Sequence, residues 1–211
     1  MLIACVYKTG GDFDGSYVEK LYKSLKPYGE FLCFTDAADL PQHIPKTPLK
    51  YGWKGWWSKI EMLGCGEDLL FFDLDTAIVG DISEMVEVAE KSEKMIMLSD
   101  FYFPHKPASG VMYAPKETGV MLYEKFKDNS EVLMCKHRGD QDYIGSILSA
   151  KNVDRWQNLL SDGYIVSYKA HLIKTAPRHL NIKPVDTSNT RVVCFHGRPR
   201  LKDVKEFWDA D

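Results

Sequence analysis

The chain has 211 residues, 45% of them hydrophobic, which suits one domain with a sizeable core. Its 27 basic and 30 acidic side chains leave a net charge of −3, so no broad basic surface is implied and nucleic acid is not an expected partner. The apolar opening "MLIACVY" stops at Lys8, too short for a signal peptide, and no run reaches the length of a transmembrane segment. The expectation is therefore a cytoplasmic protein.

"LIACVY" (2–7) reads as a buried strand running into a glycine- and aspartate-rich loop, "KTGGDFDG". A helix follows in "SYVEKLYKSLKPYG": Ser16 and Glu19 have capping-box spacing, Tyr17, Val18, Leu21, Tyr22 and Leu25 recur at helical intervals, and Pro27 and Gly29 stop it. "FLCFTD" (31–36) is a second strand, and strand–helix–strand is the start of a parallel α/β sheet. After a proline-rich loop, "GWWSKIEMLGCG" (55–66) reads as a helix burying Trp57, Ile60 and Leu63, and "DLLFFDLD" (68–75) as the next strand. A short helix begins at "DISEMVEVAEK", and strands are expected at 95–100 and 109–115. Helices are expected in "ETGVMLYEKFKDN" and "QDYIGSILSAK", then late strands at 164–169 and 191–197. The irregular stretch 168–190 is expected to wrap the domain, and the charged C-terminal segment carries one buried pair, Phe207–Trp208. Cys5, Cys33, Cys65, Cys135 and Cys194 are odd in number, widely spaced and without a Cys-x-x-Cys pair, which reads as reduced, mostly core residues.

The chemistry concentrates in "FFDLDT". Strand side chains alternate, so Asp73 and Asp75 are expected on one face, at the carboxyl end of a strand where open α/β sheets bind ligands. Two carboxylates that close repel and resist desolvation, and a divalent cation resolves the conflict because hard cations take oxygen ligands. The structural alternative is one aspartate capping a turn with the other solvated. Two enzyme classes place Asp-x-Asp at a strand end. Dehalogenase-type phosphatases use the first aspartate as a nucleophile, but their motif is usually near the N-terminus with glycine and threonine following. Here strand–helix–strand precedes it, and Thr76-Ala77 follow.

The other class agrees at four places. Asp73-Leu74-Asp75, "SGVM" (109–112), "GDQDYIG" (139–145) and "FHGRPR" (195–200) together resemble, in order and coarse spacing, the motifs of family 8 glycosyltransferases, the group that includes glycogenin and bacterial galactosyltransferases. The chain departs from that pattern in having Ala108 where asparagine is frequent and glycine directly after His196 with no later Pro-Trp. The resemblance implies a single GT-A domain over 1–211, a mainly parallel sheet flanked by helices, with a nucleotide-binding half at about 1–76 and an acceptor half at 77–211. It implies transfer of a sugar, with retention, from a nucleotide-diphosphate sugar, a UDP-sugar, to a glycan, lipid-linked or protein acceptor. Asp73, Asp75 and His196 would ligate Mn²⁺ or Mg²⁺, the imidazole favouring manganese. Asp140 and Gln141 would sit at the reacting centre, although Asp140 also suits a helix N-cap. Tyr7, Lys8, Thr9, Lys59, Asp73 and Ser109 would hold the nucleotide sugar. Gly197 would let backbone approach a phosphate, with Arg198 and Lys202 supplying charge. Arg200 reads as a solvated residue of a basic loop. Among Trp53, Trp56 and Trp57, an acceptor platform is conceivable, with Trp53 the most exposed candidate. A phosphatase using Asp73, or a non-catalytic nucleotide-sugar or carbohydrate binder, are the alternatives.

Overall fold

The N-terminal apolar run is an interior strand of the main sheet, as its lack of polar alternation requires of a strand covered on both faces. The computed structural model of the chain describes residues 1–180 and 182–210, the side chains of Ala150 and Arg178 excepted. Asn181, within the irregular 168–190 stretch, and Asp211 lie outside the described residues. In chain order the strands are β1 (Leu2–Tyr7), β2 (Glu30–Thr35), β3 (Lys46–Pro48), β4 (Leu69–Phe72), β5 (Thr76–Ile78), β6 (Met95–Ser99), β7 (Pro107–Ala114), β8 (Val153–Arg155), β9 (Ile165–Ser167) and β10 (Val192–Cys194). The helices are α1 (Gly15–Leu25), α2 (Lys59–Met62), α3 (Ser83–Glu90), α4 (Lys116–Lys127), α5 (Ser130–Lys136), α6 (Asp140–Ile147), α7 (Trp156–Leu159) and α8 (Lys205–Trp208).

Seven strands form the main sheet in the order β3-β2-β1-β4-β7-β6-β8. It is mostly parallel: β7 alone runs against both its neighbours, β4 and β6. β4 shows why the sheet reads as unbroken apolar sequence. Leu70 and Phe72 enter the core shared with α1 and α3, while Leu69 and Phe71 enter the opposite core with α4 and α6. Trp53 and Trp57 belong to the second core, Trp57 stacked on Phe126 with ring centroids 5.2 Å apart.

Several local readings change. Asp14, not Ser16, caps α1: its extended backbone lets the carboxylate accept the Ser16 N–H, and no Ser16–Glu19 capping box forms. The helix expected over 55–66 breaks into a 3₁₀ turn (Gly55–Ser58), α2, and a second 3₁₀ turn (Leu63–Cys65), ending where Gly66 adopts φ +81°. Buried Glu61 holds this compact segment by accepting from the Lys50 and Tyr51 N–H groups. The strand expected over 68–75 stops at Phe72. Asp73 N–H donates to the Gly110 carbonyl at 2.8 Å, and Thr76 N–H then donates back to the Asp73 carbonyl at 3.1 Å. The two aspartates thus flank a tight turn instead of sharing a strand face. β3, which falls in the stretch read as a proline-rich loop, and β5, α5, β8, α7 and α8 are elements the sequence pattern does not mark. The five cysteines are free, but Cys65 and Cys135 are exposed rather than core residues. Among the described residues no helix is long and apolar enough to cross a membrane.

A second sheet, β5-β10-β9, decides where the C-terminal segment goes. β10 pairs antiparallel with β5, Cys194 opposite Thr76, and Phe195 N–H donates to the Asp75 carbonyl at 2.8 Å. This pairing sets the residues after Phe195 beside the aspartate turn. Trp208 of α8 then packs on Tyr17 of α1, their centroids 4.9 Å apart.

Phe126 is fully buried between Trp53, Trp57 and Tyr143. Phe126→Ala is expected to cost about 3–5 kcal/mol by loss of packing and creation of a cavity, read as a lowered midpoint in urea unfolding. An unchanged midpoint would contradict this packing.

Candidate active site

The carboxyl ends of β1 and β4, the turn after β4 and the segment after β10 open into a cleft of about 1120 Å³. This is the position open α/β sheets reserve for ligands. Asp73 and Asp75 both line it, each with its own cation. Lys59, at the start of α2, reaches Asp73 at 2.8 Å and lies 3.8 Å from Asp140, the first residue of α6. Arg200 reaches Asp75 at 3.1 Å and Asp12 at 2.6 Å, while its guanidinium sits 4.9 Å from the Phe13 ring. The buried Nε of Arg200 and Oδ2 of Asp140 have no hydrogen-bond partner.

The electrostatics follow from burial and crowding. Burial raises the Asp73 carboxyl pKa, partly offset by Lys59. Asp75 is pushed up to about 7 by burial and by the Asp73 charge, with Arg200 pulling the other way. Burial works against the Lys59 ammonium, but the charges of Asp140 and Asp73 outweigh it and raise its pKa. Lys59 is therefore a fixed positive charge, whereas Asp75 is a carboxylate held in need of more positive charge.

His196 lines the same cleft, its Nε2 bound to Ser167 Oγ at 2.6 Å. Ser167 Oγ also accepts the Ala170 N–H. The ring stacks near Phe101, centroids 5.8 Å apart, and burial together with the Lys169 charge lowers its pKa to about 4. It is a neutral imidazole at ordinary pH. Among the described residues no group of three or more histidine, cysteine or acidic side chains is disposed to hold a metal ion. The oxygen donors of Asp73 and Asp75, both raised in pKa by burial first and by a neighbouring carboxylate second, Asp140 for Asp73 and Asp73 for Asp75, fit a hard divalent cation. With Nε2 held by Ser167, His196 does not complete that set as arranged.

The structure gathers Lys8, Thr9, Lys59, Asp73, Asp75, Ser109, Asp140, Gln141, His196 and Gly197 around one cleft. Lys8 and Thr9 are held by Asp36, which accepts the Thr9 N–H at 2.8 Å and the Lys8 ammonium at 2.6 Å. Tyr7 instead lies in the core beside α1 and does not line the cleft. Arg198 points to solvent, and Lys202 is drawn away to Asp14 and Ser16. Arg200 reverses its sequence reading: it is the cation on Asp75, not a solvated loop residue. Asp12, which joins it, carried no signal of its own beyond its place in a glycine-rich loop. Trp53 is 7% exposed and Trp56 is 55% exposed, so the exposed tryptophan at the cleft is Trp56.

This architecture is shared with solved structures. The galactosyltransferase LgtC, in complex with donor and acceptor sugar analogs, superposes with a TM-score of 0.57 over 95% of this chain and 89% of its own, at 12% identity. The fold is that of the GT-A glycosyltransferases. The apo-form glycosyltransferase GlyE of Streptococcus pneumoniae TIGR4 gives a TM-score of 0.70 at 13% identity over 98% of this chain, which spans 58% of the GlyE chain. A structure of LgtC with an active-site glutamine changed to glutamate also matches, with a TM-score of 0.55 at 11% identity. No family model and no curated protein sequence matches the chain.

The raised carboxyl of Asp75 has a thermodynamic sign. With a folded-state pKa of about 7 against 3.8 unfolded, the folded chain holds the extra proton, so this group's contribution to stability falls as pH rises between those values. Asp75→Asn is expected to flatten that fall and to melt a few degrees above wild type at pH 8. Parallel melting curves of the two proteins from pH 4 to 8 would contradict the assignment.

Proposed function

We propose that the chain, acting as one catalytic unit over 1–211, is a glycosyltransferase that moves a sugar from a nucleotide-diphosphate sugar, a UDP-sugar, to an acceptor hydroxyl. The observation that carries this reading is the Asp73–Asp75 turn in the cleft of a GT-A fold, with Lys59 and Arg200 set on either side. Breaking the glycosidic bond leaves negative charge on a diphosphate, and the site must stabilise that charge more in the transition state than before it. Asp73 and Asp75 would hold a divalent cation, Mn²⁺ or Mg²⁺, with the neutral His196 beside them. When bound, that ion supplies Lewis-acid stabilisation of the diphosphate oxygens.

The chain's own residues do the rest. Arg200 keeps a guanidinium at the cleft, on Asp75 and Asp12, from which it would turn to a phosphate oxygen. Gly197, at φ +73°, brings backbone to the cleft in a conformation few other residues adopt, with no side chain to hold a phosphate off. Lys8 and Thr9, braced by Asp36, would flank the ribose and base, and Ser109, next to Asp73, the donor sugar. Asp140 and Gln141 stand at the opening of α6 and would face the reacting carbon and the sugar hydroxyls. The presence of an active-site glutamine in LgtC supports that role for Gln141. Retention of anomeric configuration follows the family resemblance.

Many sugar transferases slowly hydrolyse their donor, so the test needs no acceptor. With Mn²⁺ and a panel of UDP-hexoses, wild type is expected to release UDP. Asp75→Asn should do so about 10²–10³ times more slowly, the scale for removing one transition-state electrostatic contact. No UDP from any donor, together with turnover of p-nitrophenyl phosphate, would sink this reading in favour of a phosphatase.

A further inference from the structure

Arg200 holds two carboxylates at once. One terminal nitrogen of its guanidinium lies 3.1 Å from Asp75 Oδ2 and the other 2.6 Å from Asp12 Oδ2, with the group 4.9 Å from the Phe13 ring. The Asp75 side chain is 13% exposed and that of Asp12 52%, so the two contacts differ in kind. Asp12 is a solvent-screened surface partner, whereas Asp75 is a crowded, desolvated carboxylate that needs opposite charge.

We propose that Arg200 is an internal counter-cation: it occupies Asp75 until a diphosphate draws it off, so that a divalent cation and the nucleotide are taken up together and a free cation is kept out. The proposal rests on the transferase reading of the same cleft. Three features carry it. First, Arg200 and a metal ion are rivals for one carboxylate. Asp75 Oδ2 already accepts from the guanidinium, and two positive charges set against one carboxylate in a desolvated site repel strongly. Second, the guanidinium is free to leave without its backbone. Phe195 N–H on the Asp75 carbonyl, Arg200 N–H on Asp203 Oδ2, the buried Leu201 side chain and Lys202 on Asp14 fix the segment by other groups. Third, the other cation of the turn is not built to yield. Lys59 lies between Asp73 and Asp140, both poorly exposed, whereas the second anchor of Arg200 is the exposed Asp12.

A diphosphate is the ligand suited to release the contact. A planar guanidinium matches two phosphate oxygens with parallel N–H bonds, where Asp75 and Asp12 each give it one. Arg200 lines the cleft, as do Gly197 and Asp12, so the turn of one side chain suffices. Once the guanidinium is on the phosphates, Asp75 is left to the metal ion. The two ligands are then coupled, and each raises the affinity of the other by the same factor.

Equilibrium dialysis against Mn²⁺, with and without saturating UDP, needs no turnover. Wild type should bind Mn²⁺ weakly alone and about tenfold more tightly with UDP, a usual size for coupling between sites. Arg200→Gln should bind Mn²⁺ alone about tenfold more tightly than wild type, and most of the gain from UDP should disappear. Arg200→Lys, which keeps the charge, should stay close to wild type without UDP. Lys106→Gln removes a cleft cation that sits over Phe103 rather than on Asp75, and should change nothing. Melting curves establish that each variant is folded, and Arg200→Met, which keeps an apolar stem for Phe13, takes the place of Arg200→Gln if that variant is not. Mn²⁺ binding to Arg200→Gln no tighter than to wild type, or a gain equalled by Lys106→Gln, would overturn the proposal. If wild type still takes up Mn²⁺ more tightly with UDP in that case, the counter-cation alone is removed and the transferase reading stands. Wild type that takes up no Mn²⁺ even with UDP removes both.

Discussion

Everything in this site answers one electrostatic problem: three carboxylates, Asp73, Asp75 and Asp140, share a partly desolvated part of the cleft, where Lys59 and Arg200 are the cations set against them. Burying like charges is costly unless opposite charge is brought to them. Lys59 sits between Asp73 and Asp140 and stays protonated through their field. Arg200 divides itself between Asp75 and the exposed Asp12, leaving Asp75 short of neutralisation. In the proposed reading, a cation would relieve the crowding of Asp73 and Asp75, and Lys59 and Arg200 would meet a diphosphate.

The fold solves the matching assembly problem. Lys59 comes from the helical segment just before β4, close in sequence to the aspartates it serves. Arg200 and His196 come from the far end of the chain and depend on β10 pairing with β5. Because Phe195 N–H is tied to the Asp75 carbonyl, the C-terminal segment cannot drift from the turn without breaking the small sheet. Arg200 then closes the circuit onto Asp12 and Phe13 in the N-terminal loop. One side chain therefore links the first loop, the central turn and the last segment.

How far the sequence was legible follows from the range of the forces involved. β1, β2 and β4 show as apolar runs because both faces of the sheet are covered, and the aspartates show because carboxylates at the end of such a run are out of place. His196 and Gly197 stand out as a pair following another apolar run. What failed was the choice among similar residues. Arg198, Arg200 and Lys202 alternate in a loop with no periodicity, and only the distant Asp12, Asp75 and Asp14 decide which turns inward. Likewise, 55–66 breaks into 3₁₀ and α pieces, with Trp56 at the cleft and Trp57 on Phe126, an arrangement that helical spacing alone does not encode. Asp14 displaced Ser16 as the cap for a local reason, its carboxylate being already in reach of the Ser16 N–H. Tyr7 follows the ordinary fate of a strand-end tyrosine and closes the core.

The claim on which the functional account rests is that the Asp73–Asp75 turn takes up a divalent cation together with a nucleoside diphosphate. Electron paramagnetic resonance of free Mn²⁺ measures this directly, because the free-ion signal is lost on binding. Titrating wild type into Mn²⁺ and UDP should deplete the signal beyond what UDP alone does, and Asp75→Asn should abolish that extra depletion. A wild-type protein that leaves the free Mn²⁺ signal where UDP alone sets it would contradict the account.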